Sequence, residues 1–256
     1  MQEIDLTKSK DVIGAYNSID FSFERKTYTD YGTQYCFNVL DGEIVAGYNI
    51  QLACFRHLRD LQRQGDKDFP YVYSVEAFNR FLKFLSLVPN VDDLSQKLEP
   101  MDWQYFIFAQ LFAWFDLDDV PRFSNIIISI ARSQGKTMIA GICLNFSYLI
   151  EIIGQSNQDF LVSSLNFDQT MKLYTYVKSM MARIIENEPF KSLAEETQVQ
   201  LYSREIKSLV DANTIHTISF ESGKFDGKHF KLAVADEVGE LRTDEGISKI
   251  TSGQVN

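Results

Sequence analysis

The sequence has little that would cross-link it or fix it in a membrane. Its three cysteines, Cys36, Cys54 and Cys143, stand far apart in 256 residues with no CxxC pair. That excludes a disulfide framework and a cysteine-based zinc site, and leaves reduced, buried thiols. No apolar run approaches the roughly 18 residues of a membrane span, and the opening MQEIDLTKSKDVIGAYNSID is too polar and charged for a signal peptide. The chain is therefore expected to be soluble and intracellular, with no membrane partner. Internal repeats and low-complexity tracts are missing too, which removes solenoid and disordered architectures. Positive charge is in deficit: 25 Lys and Arg stand against 35 Asp and Glu, a formal net charge of −10. Coating nucleic acid by bulk electrostatics needs the opposite balance. Transient contact through a few basic residues, or a protein partner, stays compatible with it.

What is present is globular material, 45% hydrophobic and 23% charged. At a prior of roughly 150 residues per domain this makes one or two domains with a sizeable core. The first part reads as mostly helical. Val45, Leu52, Cys54, Phe55, Leu58 and Leu61 recur at helical spacing before Gly65 and Pro70 interrupt them. SVEAFNRFLKFLSLV follows, with Ser74 as N-cap and Phe78, Phe81, Leu82 and Leu85 on one face. LEPMDWQYFIFAQLFAWFDL predicts another helix, with Pro100 near its start and Asp102 capping it. From Ile126 onward strands alternate with helices. NIIISI is expected to be a strand, the chain from Lys136 to about Ile153 a helix, DFLVSSL a strand and FDQTMKLYTYVKSMMARIIEN a helix. A β-favouring SLVDANTIHTISF, a turn-rich ESGKFDGKHF and the strand KLAVADE come next. Such alternation predicts an α/β fold with a mainly parallel central sheet flanked by helices, whose ligands bind at the carboxyl ends of the strands. The expected division is a helical N-terminal subdomain over residues 1–98 and a nucleotide-binding core over 99–256.

Gly135, Lys136 and Thr137 follow the expected strand and open the expected helix. There, backbone N–H groups surround phosphate oxygens, the lysine adds charge and the threonine hydroxyl holds Mg²⁺. A Gly-Lys-Ser/Thr tripeptide alone is weak, arising by chance in roughly one such chain in ten. A second feature supports it: LAVADE sets Asp236 and Glu237 at the end of an apolar strand, where acids are costly unless they serve a cation or a water. In an ATPase of this type the first acid holds Mg²⁺ through its water shell, and the second polarises the attacking water. Arg132, inside the loop, is placed to bridge phosphate oxygens bidentately. Gln104, about thirty residues upstream, has an amide able to read adenine as donor and acceptor. Lys172, Lys178 and Arg183 share one helix, where a face toward a DNA channel and a solvated face are the two readings, the solvated one favoured.

With that glutamine, the Ala131 to Thr137 loop and the Asp-Glu strand, the sequence resembles the large terminase subunit of tailed double-stranded DNA phages. YCFNVLDGEIVAGYNIQLACFRHLRDLQ, LEPMDWQYFIFAQLFAW and LNFDQTMKLY extend the resemblance from about Tyr35 to Ser252. The resemblance implies a P-loop NTPase core acting as the ATPase of a DNA-packaging motor, with ATP and Mg²⁺ as cofactors. It implies a nucleotide site of Gln104, Ala131, Arg132, Ser133, Gln134, Gly135, Lys136 and Thr137. Lys136, Arg132 and Glu237 would be catalytic, and Thr137 and Asp236 would hold Mg²⁺. The implied partners are viral double-stranded DNA, the portal protein, the small terminase subunit and further copies in a ring on the procapsid, with a monomer in isolation. The implied location is the host cytoplasm and, transiently, the procapsid, outside the mature virion. Two departures accompany this. No nuclease domain with clustered metal-binding acids is expected within these residues, nor an apolar strand with a Ser/Thr-rich turn after Glu237: LRTDEGISKI reads as a short helix, and ITSGQ has only a suggestive composition. The core is thus expected to be C-terminally truncated and its sheet to lack a member. Another P-loop motor, helicase-like or chromosome-partitioning, and a catalytically incompetent docking fragment are the alternatives.

Overall fold

The computed structural model describes residues 6, 10–90, 93–225 and 228–252. They divide into two compact units, Met1–Lys83 with Glu99–Ile127, and Phe84–Leu98 with Ile128–Asn256. Residues 99–127, grouped with the core in the expected division, fall in the first unit. Gly253 and Gln254 of ITSGQ, and Asp226 and Gly227 of the turn-rich stretch, lie outside the described residues.

The first unit is mostly helical. It contains α1 (Val12–Asn17), α2 (Ser22–Thr27), α3 (Tyr31–Leu40), α4 (Tyr48–Gln62), the start of α5 (Val75–Leu85) and α6 (Asp102–Phe112). Two short strands, β1 (Tyr71–Tyr73) and β2 (Trp114–Asp116), pair antiparallel. Ser74 caps α5 as expected, its Oγ accepting the Ala77 N–H at 3.1 Å. At α6 the expectation is corrected: Asp102 is the first helical residue, and Gln104 accepts the Met101 N–H at 2.9 Å. Gln104 lies one turn inside the helix, where its longer side chain folds back to the open end and satisfies a donor the helix leaves over. Where α3 meets α6 the helices nearly touch, and a Cβ on Gly32 would sit 2.5 Å from that of Ala109.

Two buried polar groups of this unit, Asp60 and His57, have partners close by. Asp60, 1% exposed, receives Arg63 and Arg122, each at 2.8 Å. The Arg122 guanidinium also lies 4.7 Å from the Phe69 ring centroid, 5.2 Å from that of Trp114 and 5.4 Å from that of Tyr71. His57 is fully buried between Thr33 Oγ1, at 3.1 Å from its Nε2, and Gln110 Nε2, at 3.0 Å from its Nδ1. The Gln110 amide nitrogen only donates, so Nδ1 accepts, and the neutral ring carries its proton on Nε2 toward Thr33. Burial, with the cations Arg56 and Arg122 nearby, pushes the His57 pKa down to about 3.

The second unit is built on a five-stranded sheet in the order β4-β5-β6-β3-β7. The strands are β3 (Asp159–Ser163), β4 (Val199–Leu201), β5 (Glu205–Ser208), β6 (Thr214–Thr217) and β7 (Phe230–Ala235). The neighbours β6, β3 and β7 run parallel, while β5 and β4 extend the sheet antiparallel. Helices α7 (Lys136–Phe146), α8 (Phe167–Ile184), α9 (Phe190–Glu196) and α10 (Glu245–Ser252) complete it, with α7 prolonged by one π-turn, Ser147–Glu151. Side chains alternate across a strand, so β3 faces two ways. Phe160 meets Tyr148 at 5.4 Å between ring centroids on the face that follows α7. Leu161 packs with Phe225, Phe230 and Ile250 of α10 in a separate cluster. Each such buried side chain contributes roughly 2 kcal/mol.

The expected strand NIIISI is corrected. Residues 126–131 carry no ladder pairing, and Ile127 is 90% exposed. A β-favouring composition makes an extended backbone, but a strand needs a partner edge, and none of the described strands pairs with it. β7 accordingly ends the sheet, paired with β3 alone among the described residues.

Candidate functional site

The carboxyl ends of β3 and β7 and the amino end of α7 come together in the second unit. The loop before α7 turns through two left-handed residues, Ser133 (φ 60°) and Gly135 (φ 80°). A glycine at the second carries no Cβ penalty, and the chain enters α7 with its first N–H groups open toward the loop. Lys136 and Thr137 are the first residues of α7 and half-buried. Arg132 is exposed, and no acid pairs with it among the described residues.

Across from the loop, β7 delivers Asp236 and Glu237. The parallel register aligns Val162 with Val234 and Ser163 with Ala235, so Asp236 follows the face of Phe160 and Val162, toward α7. Its N–H donates to Ser163 O at 3.0 Å, and the Ser164 hydroxyl donates to its carbonyl at 3.2 Å. Thr137 Oγ1 donates to Asp236 Oδ2 at 3.1 Å. The carboxylate's other oxygen accepts the Glu237 N–H at 2.9 Å. Glu237 is exposed, and its backbone is left-handed, φ 57°. For a side chain with a Cβ this costs about 1–2 kcal/mol, a strain typical of functional positions.

One partner was not assigned a role from sequence. Gln169, in the first turn of α8, donates from Nε2 to Glu237 Oε2 at 2.6 Å. The α8 start is itself fixed, because Asn166 Oδ1 accepts the Gln169 N–H at 2.9 Å and the Ser164 N–H donates to Thr170 Oγ1 at 3.0 Å. The signal available in LNFDQTMKLY was an asparagine cap three residues before the glutamine, which fixes where the side chain starts and leaves open what it meets. Lys178 and Arg183, further along α8, are engaged locally, Lys178 with Tyr202 O at 3.0 Å and Arg183 with Glu186 at 3.1 Å.

The hydroxyl and carboxylate of Thr137 and Asp236 suit Mg²⁺. That ion takes oxygen donors, one or two of them from the protein, and keeps several of its waters, so a hydroxyl and a carboxylate already side by side at 3.1 Å are the donor set it needs. Gln104 belongs to the first unit, 4% exposed and occupied in capping α6.

A glycine-relaxed loop opening a helix beside strand-end acids, on a sheet packed on both faces, defines an α/β protein of the P-loop NTPase class. The family model of the terminase large subunit, ATPase domain, matches residues 102–256, more than half of the chain, and the chain belongs to that family. The crystal structure of the HK97 bacteriophage large terminase is similar in fold, with a TM-score of 0.52 and 20% identity over 69% of this chain. This chain covers 35% of that one, about a third of its length. No curated protein matches the sequence.

Proposed function

We propose that the chain is the ATP-hydrolysing motor part of a phage large terminase, driving viral double-stranded DNA through a portal into the procapsid. The observation that carries this reading is the bond between Thr137 and Asp236, which sets the phosphate-loop helix against the strand-end acids. In the proposed mechanism Lys136 and the α7 N–H groups bind the β- and γ-phosphates, and Arg132 reaches the γ-phosphate as charge develops. Glu237 orients a water for in-line attack and takes its proton. Thr137 and Asp236 would hold Mg²⁺, which supplies charge neutralisation between the phosphates. For Gln104 to read adenine, its amide would exchange the Met101 N–H for the base. Assembly as a ring on the portal, with a small subunit selecting the genome, belongs to the same reading, and a monomer should turn over slowly if a neighbour supplies a second arginine.

ATP turnover by wild type, Lys136→Ala and Glu237→Gln, with and without DNA and portal-bearing procapsids, tests it. Wild type should exceed both variants by at least about 100-fold, and Glu237→Gln should still bind ATP. One background rate shared by all three, with ATP bound by wild type, would leave a docking role in place of catalysis.

A further inference from the structure

The catalytic role proposed for Glu237 leaves open what aims its carboxylate. Glutamate has three rotatable side-chain bonds, and this one is exposed at the sheet edge, where packing does not select a rotamer. A general base works only within hydrogen-bond reach of the proton it takes, so orientation has to come from a bond. Among the described residues that bond comes from Gln169, whose Nε2 lies 2.6 Å from Oε2. The donor is anchored: Gln169 sits in the first turn of α8, its N–H on Asn166 Oδ1 at 2.9 Å, and the next residue, Thr170, accepts from the Ser164 N–H at 3.0 Å. Ser164 in turn holds the Asp236 carbonyl at 3.2 Å. The same few residues therefore fix both Asp236 and the group that grips Glu237.

We propose that Gln169 is a positioning residue for the hydrolytic water: its amide nitrogen holds one oxygen of Glu237 and thereby turns the other, Oε1, toward the γ-phosphate. The inference rests on the assignment of Glu237 as the base. Gln169 is suited to this by its neutrality, because a cation there would draw the carboxylate into an ion pair and weaken it as a base. The amide's own oxygen, Oε1, is buried without a hydrogen-bond partner among the described residues. Replacing the amide by a leucine of similar size thus removes, among the described residues, the side-chain bond to Glu237 alone.

Two measurements test this, one of them independent of turnover. In the ¹⁵N-labelled chain the Gln169 side-chain amide should resonate apart from ordinary glutamines and return among them in Glu237→Ala; an unmoved resonance overturns the contact. In ATPase assays with DNA and portal-bearing procapsids, Gln169→Leu should lower kcat on the order of 100-fold with KM for ATP unchanged. In a Glu237→Gln background the same substitution should have no further effect. A rise in KM, an equal loss in both backgrounds, or a raised basal rate would overturn positioning, the last by making the bond a brake. If wild type and Lys136→Ala turn over alike, the hydrolytic reading itself fails, whatever the amide resonance shows.

Discussion

Thr137 and Asp236 stand 99 positions apart in sequence, and a single hydrogen bond of 3.1 Å joins their side chains. The first turn of α7 is thereby held against the end of β7 by a group that is also suited to a metal. Replacing Thr137 by valine keeps the shape and removes the hydroxyl. Hydrogen bonds to charged groups are worth about 1.5–3 kcal/mol, so Mg²⁺-dependent nucleotide affinity should fall roughly 10- to 100-fold. Thr137→Ser should retain it. Titration with a fluorescent ATP analogue, with and without Mg²⁺, reads the difference, which should vanish when the metal is chelated.

The histidine interior to the first unit makes a pH prediction. His57 has a folded pKa near 3 and an ordinary one near 6.5 when unfolded. Above pH 6.5 it is neutral in both states. As pH falls below that, the unfolded chain takes up a proton that the folded chain refuses, and stability is lost until about pH 3, at about 1.4 kcal/mol per pH unit. The loss at pH 5 is about 2 kcal/mol. Urea denaturation at pH 7 and 5 should show this component in wild type and not in His57→Gln. Equal pH dependence in the two proteins would refute it.

Asp60 makes a second stability prediction. Its carboxylate is buried under two guanidinium groups, and Arg122, 11% exposed, has aromatic rings around the rest of its surface. Asp60→Ala leaves Arg122 without its counter-charge and should cost about 3–5 kcal/mol. Paired replacement of Asp60 and Arg122 by apolar residues should recover part of that. Denaturant midpoints of the single and double variants decide it.

The thiols give a chemical test. Cys36, Cys54 and Cys143 are all free; burial raises the Cys36 thiol pKa and pushes that of Cys143 up to about 12. Thiolate is the reactive form, so the folded protein should react with a disulfide reagent such as DTNB only slowly at pH 8, and all three thiols should react after denaturation. A fast-reacting native thiol would contradict the packing of α3, α4 or α7.

Local chemistry made some of this legible in the sequence. Ser74 announces a helix start because a side-chain oxygen satisfies an N–H a few residues on, wherever the helix later packs. The run KLAVA, from Lys231 to Ala235, reads as a strand, and the two acids after it therefore had to lie at an end of the sheet. What could not be read depends on partners remote in the chain. The isoleucines at 126–128 and 130 state a β preference, but pairing belongs to two backbones, and the second is not written in either. Gln104 reads as a free amide until the helix start is placed at Asp102, when it becomes a cap. The Gln169 contact requires that β3 and β7 be neighbours in a register that brings the start of α8 beside Glu237, a fact of topology. The antiparallel β4 and β5 were missed for a similar reason: both are short, and only their pairing defines them.

The position of β7 has a consequence for the acids at its end. A strand tied along one flank is located by one neighbour, and the other half of its main-chain donors and acceptors faces outward. Whatever backbone comes to lie along that flank would bond within a residue or two of Asp236. The unpaired flank of β7 and the two acids thus share one end of the same strand, and a backbone added to that flank would run beside both of them.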